Sequence, residues 1–244
     1  LGNKNTGRVV RALIVVHIFG HIGDIDALKS ISLRFNVKLI EDAAEALGSW
    51  SSKIHAGLHG IVGVLSFNGN KTITTGGGGC ILTNDDTLAN QARHISATAK
   101  VQHPYDYYHD QLGYNYRMPN LNAALGVSQM MRLKQFLDAK ITLRDAYQEA
   151  FCNIEGCQFY IHNASSKSNY WLQAIVLKNV DLAQRNQIIE AAQRNGLFVR
   201  PIWGLLAKLP AFSGCPSMNL PFANALVDRT INIPSSCYLG HFHG

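Results

Sequence analysis

The chain has 244 residues, 47% hydrophobic and 16% charged, with a formal net charge of +6; that is enough for one or two globular domains with a substantial core, and it favours anionic ligands. The basic residues are scattered, with no run of five and no basic-aromatic stripe, which argues against nucleic acid as a partner. None of the five cysteines forms a CxxC pair and no compact Cys/His quartet appears, so no metal is expected, and the odd thiol count fits a cytoplasmic protein; with no signal-peptide pattern and no apolar run of about 18 residues, no membrane span is expected either.

Ala12 to Phe19 is nearly continuous apolar sequence, the pattern of a parallel strand covered on both faces. Gly20-His21-Ile22-Gly23 predicts a turn, and Asp24 an N-cap for a helix through Phe35, with Ile25, Leu28, Ile31 or Ser32, and Phe35 on one face. A second strand, Val37 to Ile40, ends in Glu41-Asp42, completing a βαβ unit whose crossover should be right-handed. In open α/β sheets ligands sit beyond the carboxyl ends of the strands. Asp42 lies at such an end, and so does Ser66, after the apolar run Ile61 to Leu65. The competing reading of Asp42 is a helix cap for residues 43–47.

Lys71 follows one short loop after Ser66, in Ser66-Phe67-Asn68-Gly69-Asn70-Lys71, and four glycines, Gly76 to Gly79, come next. Apolar surroundings make a lysine easier to deprotonate. A neutral amine attacks carbonyl carbon and forms a Schiff base. The glycines allow tight turns and close approach to a ligand. Taken alone, a solvated lysine in a flexible loop explains the same residues.

Cys80 to Thr83 reads as a short strand, and Asn84-Asp85-Asp86 as the cap of a helix to about Ile95. Residues 97–120 have little periodicity and five tyrosines, which fits a functional loop or a packed surface loop. Leu121 to Phe151 predicts a long helix, broken near Phe136–Ile141, with Leu125, Met130, Leu133, Phe136 and Leu137 as its packed stripe and Gln129-Met130-Met131 as packing residues. A composition change over 152–169 marks a domain boundary between 1–151 and 170–244. Beyond it come a strand (Trp171 to Leu177), a helix (Asp181 to Asn195, stopped by Gly196), a strand (Leu197 to Arg200), a proline-broken stretch and a short helix from Asn224 to Thr230. The chain starts at Leu1 and ends at Tyr238 to Gly244 without a closing element, as a piece of a longer protein would.

Four motifs stand in one order: Ile40-Glu41-Asp42-Ala43-Ala44-Glu45-Ala46-Leu47-Gly48-Ser49, Ser66 to Lys71, Gly76 to Gly79, and Gly113-Tyr114-Asn115-Tyr116-Arg117-Met118-Pro119. In this the chain closely resembles the DegT/DnrJ/EryC1/StrS family of pyridoxal-phosphate-dependent nucleotide-sugar aminotransferases, from about Gly7 to Ser235. The Val16 to His21 turn and the Asn-Gly-Asn-Lys loop look most like the branch acting on UDP-4-keto-6-deoxy-N-acetylhexosamines in bacillosamine and legionaminic acid synthesis.

The resemblance implies a fold type I (aspartate aminotransferase-like) α/β architecture, with a partial large domain on a mostly parallel sheet and a partial small domain. It implies pyridoxal 5'-phosphate as cofactor and glutamate as amino donor to a keto nucleotide sugar. Lys71 would carry the cofactor as a Schiff base and shuttle the proton. Asp42 would pair with the pyridinium nitrogen, Glu45 would lie near the cofactor hydroxyl, and Ser66 would bond its phosphate. Asn115 would reach the phosphate of the neighbouring subunit's cofactor, which requires a homodimer. Arg117, Arg200 and Trp203 would serve the substrate. Family members also carry an N-terminal phosphate-binding turn, an aromatic ring that stacks on the cofactor and a closing helix, and none of these is in this sequence. A truncated, non-catalytic remnant that binds no cofactor is therefore the alternative.

Overall fold

The structure is a computed structural model that describes residues 1–162 and 165–241. In chain order, strand β1 (Ala12–Val16) leads to helix α1 (Ile25–Phe35), strand β2 (Lys38–Asp42), a short hairpin β3 (Trp50–Ser51) and β4 (Ile54–His55), and strands β5 (Val62–Ser66) and β6 (Gly79–Leu82). Helix α2 (Asp86–Ser96), the two-residue strands β7 (Lys100–Val101) and β8 (Tyr108–His109), and helices α3 (Asn120–Met131) and α4 (Leu133–Phe151) follow. The remainder is β9 (Cys157–Phe159), β10 (Ser166–Lys167), β11 (Gln173–Leu177), α5 (Leu182–Arg194), β12 (Arg200–Pro201), α6 (Pro221–Arg229) and β13 (Thr230–Ile233).

Helix starts obey local chemistry. The Asp24 carboxylate accepts the Ala27 N–H at 3.1 Å, Asp85 accepts from Thr87 and Leu88, and Asp181 accepts from Gln184. Helix α1 ends where Asn36 turns left-handed (φ 49°) and returns its N–H to the Leu33 and Ser32 carbonyls.

Packing separates two units. The first holds Leu1–Asn3, Arg8–Leu137 and residues 165–169; the second holds Lys4–Gly7 and residues 138–162 and 170–241. The predicted boundary stretch 152–169 contains Asn163 and Ala164, which lie outside the described residues, as do Phe242–Gly244 of the predicted tail.

The first unit is built on a sheet in the order β1-β2-β5-β6, with β1, β2 and β5 parallel and β6 antiparallel to β5. Val16 stands opposite Asp42, and Asp42 opposite Val64. Its core gathers Ile22, Ile25, Leu39, Ala46 and Leu65, with Leu13, Val15 and Leu28 packed against them. Glycine is required at one point of this core. A Cβ on Gly63 would lie 2.1 Å from the Gly57 carbonyl oxygen, because here backbone packs on backbone.

Several expectations need correction in the first unit. The opening strand stops at Val16 rather than Phe19, because Phe19 takes up φ 58° in a 3-10 turn. It is not covered on both faces, since Ile14 and Val16 are exposed; β1 pairs only with β2 among the described residues. On α1, Ile25 is buried but Ile31 and Phe35 are exposed. The long helix breaks at Arg132, four residues ahead of the expected segment. Leu125, Met130 and Met131 are exposed rather than packed, and α3 has no buried residue.

The second unit carries an antiparallel sheet in the order β12-β13-β11-β9. Its core comprises Phe159, Ile175, Ile189, Val199, Ile231 and Ile233, with Tyr147 and Phe151 of α4 against it. The strand expected over Leu197–Arg200 is limited to Arg200–Pro201, and the last helix starts at Pro221, three residues early, with proline at the first helical position where its missing N–H costs nothing. Lys140 is buried here. Its ammonium donates to the Trp171 carbonyl at 3.0 Å and the Ser235 carbonyl at 2.7 Å, and burial lowers its pKa from the ordinary 10.5 to about 8.

Candidate active site

The parallel strands deliver side chains to one sheet edge. Asp42 is the last residue of β2, and Ser66 the last of β5. The loop after Ser66 is tied down, not flexible. Phe67 and Gly78 close it at 2.9 Å, the Thr75 N–H donates to Phe67, the Lys71 N–H to Asn68, and the Asn122 amide caps the Thr75 carbonyl. The Lys71 side chain is accordingly 14% exposed, and its Nζ lies 3.6 Å from Glu45 Oε1, on a side chain equally covered. This geometry displaces the reading of Lys71 as a solvated loop lysine.

Glu45 is held at both ends of its carboxylate. Oε2 accepts the Phe19 N–H at 2.7 Å. The left-handed backbone of Phe19 (φ 58°) is what aims that N–H inward, at a conformational cost of roughly 1–3 kcal/mol for a non-glycine residue. Burial pushes the Glu45 carboxyl above the usual carboxylate range; the Phe19 N–H and Lys71 pull it back, and the nearby charge of Asp42 adds to the rise. Glu45 thus feels both Lys71 and Asp42.

No helix follows Asp42, so it is not a helix cap. Its Oδ1 accepts the Ala44 N–H at 3.1 Å, an Asx-type turn that orients the side chain. Its other oxygen accepts no hydrogen bond among the described residues. The Ser66 hydroxyl oxygen accepts the Asn68 N–H at 3.3 Å, leaving its own proton to give.

The structure brings Lys71, Glu45 and Asp42 together and sets Ser66 on the same edge. Asn115 is exposed, its backbone bridged to Ala97. Arg117 is exposed and lines a cleft of about 870 Å³ between α2, β6 and Gly77–Gly79. Lys71, Asp42 and Ser66 do not line that cleft, and the convergence of their chemistry, not cleft size, marks the site. Arg200 and Trp203 belong to the second unit, where Arg200 is exposed and Trp203 stacks on Trp171 with ring centroids 6.0 Å apart.

Two features escaped the sequence. His17 and Glu41, both wholly buried, meet at 2.9 Å, Glu41 being the residue before Asp42 on β2. Asn169, which is 1% exposed, enters the first unit from far along the chain and bonds the Glu45 and Leu47 carbonyls. A carboxylate flanking Asp42 is legible in sequence. A partner more than a hundred residues away is not.

Comparison with known proteins identifies the family. The model of the DegT/DnrJ/EryC1/StrS aminotransferase family matches residues 3–241. EpsN of Bacillus subtilis (strain 168), whose name gives it as a pyridoxal phosphate-dependent aminotransferase, is 33% identical over 209 residues, covering 86% of this chain and 53% of its own. The GDP-perosamine synthase of Vibrio cholerae is 32% identical over 236 residues, covering 96% of this chain and 62% of its own. The chain therefore spans roughly half to three fifths of these relatives' length. Among solved structures, a DegT DnrJ EryC1 StrS aminotransferase from Brucella abortus superposes with a TM-score of 0.86 at 25% identity, over 97% of this chain and 61% of that one. TlmJ from Streptoalloteichus hindustanus shares the fold with a TM-score of 0.87, over 93% and 61%. The architecture is thus the α/β fold of these aminotransferases, with its mostly parallel sheet, and the chain belongs to the DegT/DnrJ/EryC1/StrS aminotransferase family.

Proposed function

We propose that this chain carries the cofactor-binding site of a pyridoxal-phosphate-dependent aminotransferase that moves an amine from glutamate to a keto nucleotide sugar. The carrying observation is the covered amine of Lys71, 3.6 Å from Glu45, whose carboxyl also feels the charge of Asp42 at the carboxyl end of β2. The donor set fits the cofactor. A lysine amine can bond its aldehyde carbon, a carboxylate with one uncommitted oxygen can hold its ring nitrogen, and a serine hydroxyl can donate to its phosphate. Bound there, pyridoxal 5'-phosphate would supply the electron sink that lets a carbon–nitrogen bond be exchanged.

The chain's own residues do the rest. Asp42 keeps a proton on the ring nitrogen by pairing with it. Lys71 attaches the cofactor and, once released, accepts and returns a proton at Nζ. Glu45, held by Phe19 and raised by burial, orients Lys71 and sits ready to hydrogen-bond the cofactor hydroxyl.

In this reading the first unit is the cofactor-binding domain and the second the small domain, and Arg117, Arg200 and Trp203 serve the substrate. The choice of a UDP-4-keto-6-deoxy-N-acetylhexosamine rests on the sequence resemblance; the relatives' names include a GDP-linked sugar and, for DesI, a TDP-sugar product. A homodimer completes the site through Asn115. The apolar residues Leu121, Val127 and Met131 on α3 are exposed beside it, as are Tyr105, Tyr107 and Tyr116, a surface of the kind that a second subunit covers. Among the described residues no helix is long and apolar enough to cross a membrane, and the five cysteines are free thiols, in keeping with a cytoplasmic enzyme.

Incubation of the purified chain with pyridoxal phosphate, reduction with borohydride and peptide mass spectrometry tests the proposal. Label on Lys71, lost in Lys71→Ala, is expected. An unlabelled Lys71 in the folded wild type would instead identify a non-catalytic remnant.

A further inference from the structure

Asn169 lies outside every motif that carries the family resemblance, yet it touches both sides of the Lys71–Glu45 pair. Its side-chain amide donates to the Glu45 carbonyl at 2.8 Å and the Leu47 carbonyl at 2.9 Å, and stands 3.4 Å from the Thr72 hydroxyl. Carbonyls only accept, so these two bonds fix which way the amide faces. The Asn169 backbone N–H donates to the Ser49 hydroxyl at 2.9 Å, and the Ser49 hydroxyl donates to the Gly20 carbonyl at 2.6 Å, which Ser168 also reaches.

The amide oxygen of Asn169 packs on Gly20 so closely that a Cβ there would fall 1.7 Å from it. Gly20 follows Phe19, whose N–H holds the Glu45 carboxylate. One side chain therefore ties the backbone of Glu45, the residue after Lys71 and the turn that presents Phe19.

We infer that Asn169 is a positioning residue for the Lys71 amine: by joining Glu45 and Thr72 to one amide it fixes the Lys71–Glu45 separation and the direction in which Nζ is presented. This rests on reading Lys71 as the cofactor-bearing lysine. A purely structural Asn169, which only anchors β10 against β3, would change stability and nothing else.

Three variants separate these roles. Asn169→Asp keeps the shape but removes the donors. Thr72→Val removes one acceptor. Ser32→Ala, which deletes a 2.6 Å bond to the Val37 carbonyl in the same unit away from the site, is the stability control. Each is read by borohydride-fixed pyridoxal phosphate label on Lys71, by circular dichroism of the bound cofactor per mole of label, and by the trinitrobenzenesulfonate reaction rate of Lys71 in the cofactor-free chain relative to exposed Lys38.

In Asn169→Asp, label on Lys71 is expected to fall at least about 10-fold, as loss of near-attack alignment predicts. The dichroism per bound cofactor should change, and the trinitrobenzenesulfonate rate should rise about threefold or more as local loosening releases the amine from cover. Thr72→Val should shift the same readouts in the same direction by less, and Ser32→Ala should lower only the unfolding midpoint. Wild-type label, dichroism and amine reactivity in Asn169→Asp overturn the inference, whatever its stability. If Asn169→Asp does not fold, Thr72→Val decides. If wild-type Lys71 takes no pyridoxal phosphate label, the cofactor reading fails by itself, and the trinitrobenzenesulfonate rates still decide whether Asn169 positions the amine.

Discussion

The imidazole of His17 meets the carboxylate of Glu41 at 2.9 Å, with neither side chain exposed to solvent. Glu41 is saturated around that contact. Oε2 also accepts the Gly57 N–H at 2.8 Å, and Oε1 accepts the N–H groups of His59 and Gly60 at 2.6 Å each. The backbone N–H of His17 donates to the Asp42 carbonyl at 3.0 Å. The end of β1 thus grips two consecutive residues of β2, one through its side chain and one through its backbone. Burial alone would raise the Glu41 carboxyl, but the bonds from His17, Gly57 and Gly60 outweigh it and hold the pKa below the ordinary 4.5.

A carboxyl depressed in the folded state contributes stability that is present above its unfolded pKa and is lost as pH falls through the folded value. Glu41→Gln should therefore cost about 3 kcal/mol near neutral pH, because it turns the NH2 group of a side-chain amide toward backbone donors and removes the charge that pairs with His17. The deficit should shrink as the wild type is taken below pH 4.5. Hydrogen exchange at the Gly57 and Gly60 amides, compared between variant and wild type across this range, checks both statements.

Lys140 gives the same sign of pH dependence from a different cause, because here burial disfavours the charged form. Its folded pKa of about 8 lies below the ordinary 10.5, so the unfolded chain binds more protons between these values and stability rises with pH across that window. Lys140→Met lacks this rise. The difference in unfolding free energy between wild type and Lys140→Met should move in favour of the wild type by roughly 3 kcal/mol from pH 7 to pH 10.5. Denaturant unfolding at both pH values measures it, and a pH-independent difference would contradict it.

Much of the first unit could be read in advance because its signals are local. Asp24 and Asp85 start helices through their own neighbouring amides, as Asp181 does in the second unit, and Asp42 and Ser66 end strands that apolar runs announce. Reading failed where a long-range fact decides. The apolar run into Phe19 looks like strand until Glu45, 26 residues on, captures the Phe19 N–H and holds a left-handed turn. Leu125 and Met130 have core chemistry, yet the described chain leaves both of them exposed. Asn169 sits in a polar stretch that reads as linker, and its partners are 97 to 124 residues away.

Gly63→Ala should be among the most damaging single substitutions. The added methyl meets Gly57 oxygen, Cα and carbon at 2.1 to 2.6 Å, and main chain cannot move aside as a side-chain tip can. A loss of about 3 kcal/mol or more is expected, seen as a lowered urea midpoint or insoluble expression.

Leu121→Glu combined with Val127→Glu places charge on the exposed apolar face of α3. If a second copy covers that face, light scattering should show a dimer for the wild type and a monomer for the variant, with unfolding of the monomer otherwise unchanged. A wild-type chain that scatters as a monomer would remove the homodimer from the proposed function.

Strand β10 reaches back to Trp50–Ser51, and Asn169 to Glu45 and Leu47. During biosynthesis the Lys71 loop leaves the ribosome about a hundred residues before the segment that steadies it. A nascent chain stopped at residue 151 would hold every strand of the parallel sheet but not the amide that joins Glu45 to Thr72. Since non-local closure is slow, the reactive amine should stay loosely held until translation has passed Asn169, so an immature polypeptide acquires its sheet before it acquires its chemistry.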